Sequence, residues 1–264
     1  MLLKNRCTFF LGIHRPTWAS SSMGPTFISI RQIRTRRTRS RYDPASHPYA
    51  IDSGGFTELN RSGRWETSAK DYVGDVARSC DEFGTPQFAA SQDWMCEDAA
   101  LKATGLSVEE HQRRSVDSVL ELRDLSNCAY WLPVLQGREP EDYLRHVDLY
   151  LKAGIDLTCL PRVGIGSVCR RSSSHEIRRV VSVLADAGIR LHGFGVKTTG
   201  LALISDQLES ADSMAWSYAG RKRGFKGAQN SQRVAEAYRV FMDAVIDGDP
   251  HLARAHFERT LKNA

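Results

Sequence analysis

Three aspartates and a glutamine stand where apolar segments of this chain give way to polar ones. They lie in Asp52-Ser53-Gly54-Gly55-Phe56, Gln92-Asp93-Trp94-Met95-Cys96-Glu97, Gln136-Gly137 and Ala211-Asp212-Ser213. Two glycine-rich segments, Val163-Gly164-Ile165-Gly166-Ser167 and His192-Gly193-Phe194-Gly195-Val196-Lys197, follow the same plan. Carboxylates that converge on one pocket are the material of nucleophilic and acid/base catalysis. Each place also has a plainer reading. A strand-end aspartate often only caps a helix, and Gly-Gly after a strand makes a tight turn. A GxG without the full GxGxxG spacing is weak evidence for phosphate binding. His192 and Cys96 can be simple core residues. The plainer readings leave the conjunction unexplained, because one architecture would bring all these strand ends together.

That architecture follows from the pattern of elements. Segments rich in apolar, β-branched or aromatic residues read as strands over Phe9–Ile13, Phe27–Ile30, Tyr49–Ser53, Phe88–Trp94, Ala129–Leu135, Ile155–Leu160, Ile189–Phe194 and Ser213–Trp216. Helical spacing separates several of them, clearest at Ala69, Tyr72, Val73, Val76 and Cys80, at Tyr143, Val147, Tyr150 and Leu151, and at Ile177, Val180, Val181 and Leu184. Eight strands alternating with helices predict a single α/β domain, a (β/α)8 TIM barrel, over residues 1–225. The tail from Ser231 to Leu261 reads as two helices, with Pro250 opening the second, so that residues 226–264 pack on the barrel. In such a barrel the active site lies at the C-terminal ends of the strands.

The net charge of +5 is concentrated in one place. Residues 31–41 hold Arg31, Arg34, Arg36, Arg37, Arg39 and Arg41 with no acid, while elsewhere bases and acids nearly balance. Such a cluster suits phosphate contacts, and a solvated basic loop is the equal alternative. No apolar run approaches the roughly 18 residues that cross a bilayer, so no membrane role is expected. Residues 1–42 read as folded protein of a cytoplasmic enzyme rather than a targeting segment. The six cysteines, Cys7, Cys80, Cys96, Cys128, Cys159 and Cys169, form no CxxC pair and have no zinc-ligand spacing. Neither a disulfide, a metal nor a cofactor is expected.

Asp52–Phe56 resembles the DSGGF signature of the tRNA-guanine transglycosylase superfamily. QDWMCE (Gln92–Glu97), PVLQG (Pro133–Gly137), VGIGSVCRR (Val163–Arg171), LHGFGVKT (Leu191–Thr198) and SADSMAWS (Ser210–Ser217) are similar to its DNA-acting branch, the DpdA-type deazapurine-in-DNA proteins. The likeness runs from about Phe9 to residue 220. It implies a pentosyltransferase that replaces guanine in DNA with a free 7-deazaguanine such as preQ0. Breaking an N-glycosidic bond with retention takes a carboxylate to trap C1′ and a second to serve the base. By resemblance Asp212 is the nucleophile and Asp52 the acid/base. Asp93 would accept the donors of a guanine edge. Gln136 and the backbone near Gly166 would meet its O6 side, Ser53 would support the pocket, and Gly193 and Phe194 would cover the other face. Arg34, Arg36, Arg37, Arg39, Arg170 and Arg171 are the candidates for the nucleic-acid backbone.

The chain departs from the superfamily at two places. The region after Asp212 contains no cysteine where a Cys/His zinc site is usual, and Thr57 follows DSGGF where the queuine enzymes have Gln. The competing readings are the same exchange on tRNA, a catalytically inactive nucleic-acid-binding barrel, and an unrelated barrel hydrolase or lyase. Helper proteins are left unidentified by the sequence.

Overall fold

In the computed structural model, residues 6–21, 23–35, 41–167, 174–225, 227 and 230–264 are described. Parallel strands β1 (Thr8–Ile13), β2 (Thr26–Ser29), β3 (Tyr49–Asp52), β4 (Ala89–Ala90), β5 (Trp131–Leu132), β6 (Val134–Leu135), β7 (Val163–Ile165), β8 (Leu191–Gly193) and β9 (Leu208–Ser213) form one sheet. Its order is β5-β4-β3-β2-β1-β9-β8-β7-β6. β5 and β6 are two halves of one segment split by Pro133, which has no N–H to give the ladder. The Pro133 carbonyl still accepts from the Gly164 N–H at 2.8 Å. One half pairs with β4 and the other with β7, so the segment joins both edges and the sheet is a barrel. The expected α/β architecture is present.

Side-chain alternation sorts the strands into an outer and an inner face. On β1, Phe9, Leu11 and Ile13 belong to the main core beneath the helices, whereas Phe10 joins an inner cluster with Phe27, Ala50, Phe88 and Leu132. Phe10 and Phe27 both pack against Phe88, at 5.8 and 6.1 Å between ring centroids. These rings fill the barrel below its C-terminal rim.

Around the strands run α1 (Ile30–Thr35), α2 (Gly55–Ser62), α3 (Ala69–Phe83), α4 (Asp98–Thr104), α5 (Val108–Leu125), α6 (Pro140–Lys152), α7 (Ser174–Asp186), α8 (Thr198–Ile204), α9 (Ala215–Lys222), α10 (Gln232–Asp247) and α11 (His251–Lys262). β1 and β2 are joined by only a short 3-10 turn, Pro16–Ser20. The outer face of β1 is covered from the other end of the chain by α10. Tyr238 packs its ring edge-on to Phe9 at 6.3 Å, and Arg239 donates to the Pro25 carbonyl at 3.0 Å. Among the described residues no helix is long and apolar enough to cross a membrane.

Two strands differ from the sequence expectation. Ile155–Leu160 holds a 3-10 turn, Leu157–Cys159, whose Asp156 side chain accepts the Thr158 N–H. The ring position is filled by Val163–Ile165, which reads in sequence as a glycine-rich loop. Gly164 is there because a Cβ would lie 2.5 Å from the Phe194 ring. The last strand is Leu208–Ser213 rather than Ser213–Trp216. Trp216 instead sits fully buried on α9 and donates its indole N–H to the Gly12 carbonyl at 2.9 Å.

Candidate active site

A cavity of about 490 Å³ opens at the C-terminal ends of the strands. Its walls include Asp52, Ser53, Asp93, Gln136, Gly166, Phe194 and Asp212, so seven of the eight expected catalytic and base-binding residues share it. The eighth, Gly193, does not line it. Next to the inward His192, Gly193 faces outward, where a Cβ would meet Val196 at 2.6 Å and Leu208 at 3.2 Å. Gly195, two residues on, lines the cavity.

Asp52 ends β3 and pairs in register with Ser29 at the end of β2. Burial pushes its pKa up, hydrogen bonding from the Ser29 side chain and the Gly54 backbone opposes this, and the charge of Asp212 adds to the rise. The chain reverses beneath it through Gly54, whose φ of 82° lies in the left-handed region that favours glycine. The reversal starts α2 at once and keeps Asp52 at the cavity wall.

Asp212 lies on β9 opposite Phe10 of β1 and therefore faces the interior. Its Oδ1 accepts the Gly195 N–H at 3.0 Å and lies 3.3 Å from Nε2 of His192. Burial lowers the His192 pKa, against the pull of Asp212, so the ring is neutral.

Asp93 is held in a chain of hydrogen bonds. The Gln136 side-chain amide donates to Asp93 Oδ2, and the Ser167 hydroxyl donates to Gln136 Oε1 at 2.6 Å. The Cys96 N–H donates in turn to the Ser167 hydroxyl at 3.0 Å. Ser167 has φ of 57°, a conformation non-glycine residues seldom take. The Gln136 backbone is clamped as well. Its N–H donates to His146 Nδ1 at 2.9 Å, and its carbonyl accepts from Gln112 at 2.7 Å. Burial holds the His146 pKa down at about 3, so the ring is neutral, and Nδ1, which the Gln136 N–H meets, is the nitrogen that accepts. Burial pushes the Asp93 carboxyl up to about 7, against the Gln136 hydrogen bond and with help from Asp52.

Gly166 contributes space. A Cβ there would lie 2.2 Å from the Gln136 amide nitrogen. Its N–H goes to the Leu135 carbonyl and its own carbonyl accepts from Tyr143, so neither group is left for a ligand's O6 side. Phe27, Phe56, Met95, Phe194 and Met214 supply apolar walls, and Ser29, Ser167 and Gly195 supply polar ones. Sequence reading passed over Ser29, Phe56, Met95 and Met214 as site residues. The signal for Ser29 was its place two residues after the inward Phe27.

Of the expected phosphate-binding arginines, only Arg34 is described, and it is committed elsewhere. Its guanidinium donates to Asp75 at 2.7 Å and to Thr67 at 3.0 Å, tying α1 to α3 and to the loop before it. Arg36, Arg37, Arg39, Arg170 and Arg171 lie outside the described residues. On α9, Arg221 and Lys222 are exposed, whereas the adjoining Arg223 pairs with Glu258. The stretch after Asp212 lacks cysteine, and among the described residues no three His, Cys, Asp or Glu side chains are placed to hold a metal.

Comparison with solved structures finds a putative fructose-1,6-biphosphate aldolase from Coccidioides immitis, at 10% identity and a TM-score of 0.41, covering 97% of this chain and 93% of that one. The YdjI aldolase from Escherichia coli K12 matches at 12% identity and a TM-score of 0.41, covering 98% of this chain and 90% of that one. Comparison with curated proteins finds no significant match. The family model of DpdA, DeoxyPurine in DNA protein A, matches residues 5–244. That span takes in every strand of the barrel and all three aspartates of its cavity, and the chain belongs to the DpdA family.

Proposed function

We propose that this protein replaces guanine in DNA with a free 7-deazaguanine of the preQ0 type, through a covalent bond between Asp212 and the deoxyribose. The observation that carries this reading is that Asp52 and Asp212 face one cavity in different surroundings. Burial favours the protonated form of Asp52. Asp212 accepts the Gly195 backbone N–H on Oδ1 and has the His192 ring beside it. Two carboxyl groups whose surroundings differ in this way divide into an acid and a nucleophile.

The target nucleotide leaves the duplex stack and enters the cavity, as enzymes that act on a base require. The Asp93 carboxylate accepts the N1–H and exocyclic amine of the guanine edge, and Gln136 orients it. Asp212 forms a bond to C1′ from the face opposite the base as the C1′–N9 bond breaks. Asp52 gives its proton to the departing base and becomes a carboxylate. The incoming base then attacks C1′ through N9 and loses its N9 proton to Asp52. The bond between C1′ and Asp212 breaks, and both carboxyl groups return to their starting states. A cavity of about 490 Å³ lies in the range of small-molecule pockets.

The test is incubation of purified protein with guanine-labelled duplex DNA or tRNA and with preQ0, followed by mass spectrometry of the nucleosides. Deazaguanine in DNA with release of labelled guanine is the expected result. Incorporation into tRNA alone would move the substrate to RNA. Binding without exchange on either polymer would make this a catalytically inactive barrel.

A further inference from the structure

His192 lies on the barrel floor with no exposed surface, ringed by Phe10, Phe27, Phe88 and Phe194 at centroid distances of 6.1, 5.8, 4.8 and 4.7 Å. A histidine among four phenylalanines is costly to bury unless its nitrogens are used. Nδ1 lies 2.8 Å from the Ser210 hydroxyl. Nε2 lies 3.3 Å from Asp212 Oδ1, short of hydrogen-bond alignment, and has no other partner among the described residues.

We propose that His192 is a positioning residue for the nucleophile: Ser210 donates to Nδ1, and Nε2–H is thereby aimed at Asp212 Oδ1. The inference rests on the base-exchange reading above. A nucleophilic Asp212 is ionised and offers only lone pairs. Nε2 must therefore carry the ring proton, since two lone pairs facing each other in an apolar surround repel. The Ser210 hydroxyl, able to donate or accept, supplies the proton that Nδ1 then lacks. This assigns the two oxygens of Asp212 different tasks. Oδ1 is held by Gly195 N–H and His192 Nε2–H, and Oδ2 is the atom that bonds C1′. Hydrogen bonds of this kind are often long in the resting enzyme and tighten as the reaction proceeds. When the bond between C1′ and Oδ2 breaks, charge returns to the carboxylate, and the same two donors receive it.

Two measurements test this. Nitrogen NMR of the imidazole should find the ring neutral with its proton on Nε2, and a proton on Nδ1 would overturn the proposal whatever the activity. Single-turnover formation of the covalent DNA adduct should then be compared in His192→Gln, His192→Asn and His192→Leu. Gln places an amide near the Nε2 position, whereas Asn reaches only that of Nδ1. We expect Gln to stay within about fivefold of the parent protein and Asn and Leu to slow by roughly 10²–10³-fold, the usual effect of one aimed donor. Affinity for DNA and for the free base should hold in all three. Asn or Leu at the parent rate, or a folded Gln variant as slow as Leu, would overturn the proposal. Failure of the parent protein to form any adduct while Nε2 carries the proton would overturn the base-exchange reading, and the role in catalysis with it.

Discussion

The amide of Gln136 is the donor that meets the Asp93 carboxylate, and the rest of Gln136 is immobilised to make that meeting reliable. Ser167 fixes the side-chain oxygen, His146 the backbone N–H and Gln112 the backbone carbonyl. The carboxylate proposed to read the base is therefore backed by residues from α5 and α6, well behind the cavity wall.

Base binding should depend on pH with a midpoint near that of Asp93, about 7. The ionised form accepts the guanine donors, so affinity rises with pH through that value and then levels. Calorimetric titration of a 7-deazaguanine from pH 5.5 to 8.5 measures this, and a flat profile would mean another group reads the base. Asp93→Ala should lose on the order of 2–4 kcal/mol of base binding while DNA binding is kept.

The same carboxyl sets a stability slope. Its folded pKa, about 7, lies above the ordinary unfolded value, so the folded state holds the proton more tightly. Its contribution to stability is fully present below the unfolded pKa and is lost as pH rises to about 7. Asp93→Asn removes this slope. Thermal melts should show the variant gaining on the parent at pH 8 and not at pH 4; an equal difference at both would refute the assignment.

Asp212→Ala and Asp212→Asn should keep the fold and abolish exchange, a loss of 10⁴-fold or more being the usual order for a removed nucleophile. Denaturing gels read the covalent DNA adduct directly. An adduct that persists in Asp212→Ala would assign the nucleophile elsewhere.

Gly166→Ala and Gly164→Ala should fail differently. The first puts a Cβ 2.2 Å from the Gln136 amide nitrogen, displaces a side chain that is held in place, and should weaken base binding and lower the melting temperature together. The second drives into the Phe194 ring and should cost about 1–3 kcal/mol of stability as an overpacked core. Melting curves beside base titrations separate the two.

Arg34 and its neighbours should also part company. Arg34→Ala removes a partner of the buried Asp75 and should lower stability, leaving the salt dependence of DNA binding unaltered. Replacing Arg36, Arg37 and Arg39 together should flatten the plot of log affinity against log salt, by about 0.9 for each phosphate no longer neutralised. An unchanged slope would make the run a solvated loop and leave the backbone to other bases such as Arg221 and Lys222.

Asp52, Asp93, Gln136 and Asp212 were visible in the sequence because each follows an apolar strand, and a barrel gathers strand ends. What escaped was set by packing between strands. Gly164 disguised β7 as a loop, since its lack of a side chain answers to Phe194, a residue thirty positions away. Met95 and Met214 carry no signal of their own and become site residues only when the ring closes. Arg34 shows the reverse case, a residue whose composition pointed to phosphate and whose neighbour Asp75 claimed it.

The covering of β1 by α10 has a consequence for synthesis. Residues 8–13 are made well before two of their partners, β9 and α10, and only β2 follows them closely. While the ribosome is still building the middle of the barrel, Phe9 has no Tyr238 to pack against and one edge of β1 stays open. The nascent chain therefore carries an apolar strand with one unpaired edge until β9 has been made. Ring closure waits on β9 and α10, which makes it a late event in synthesis.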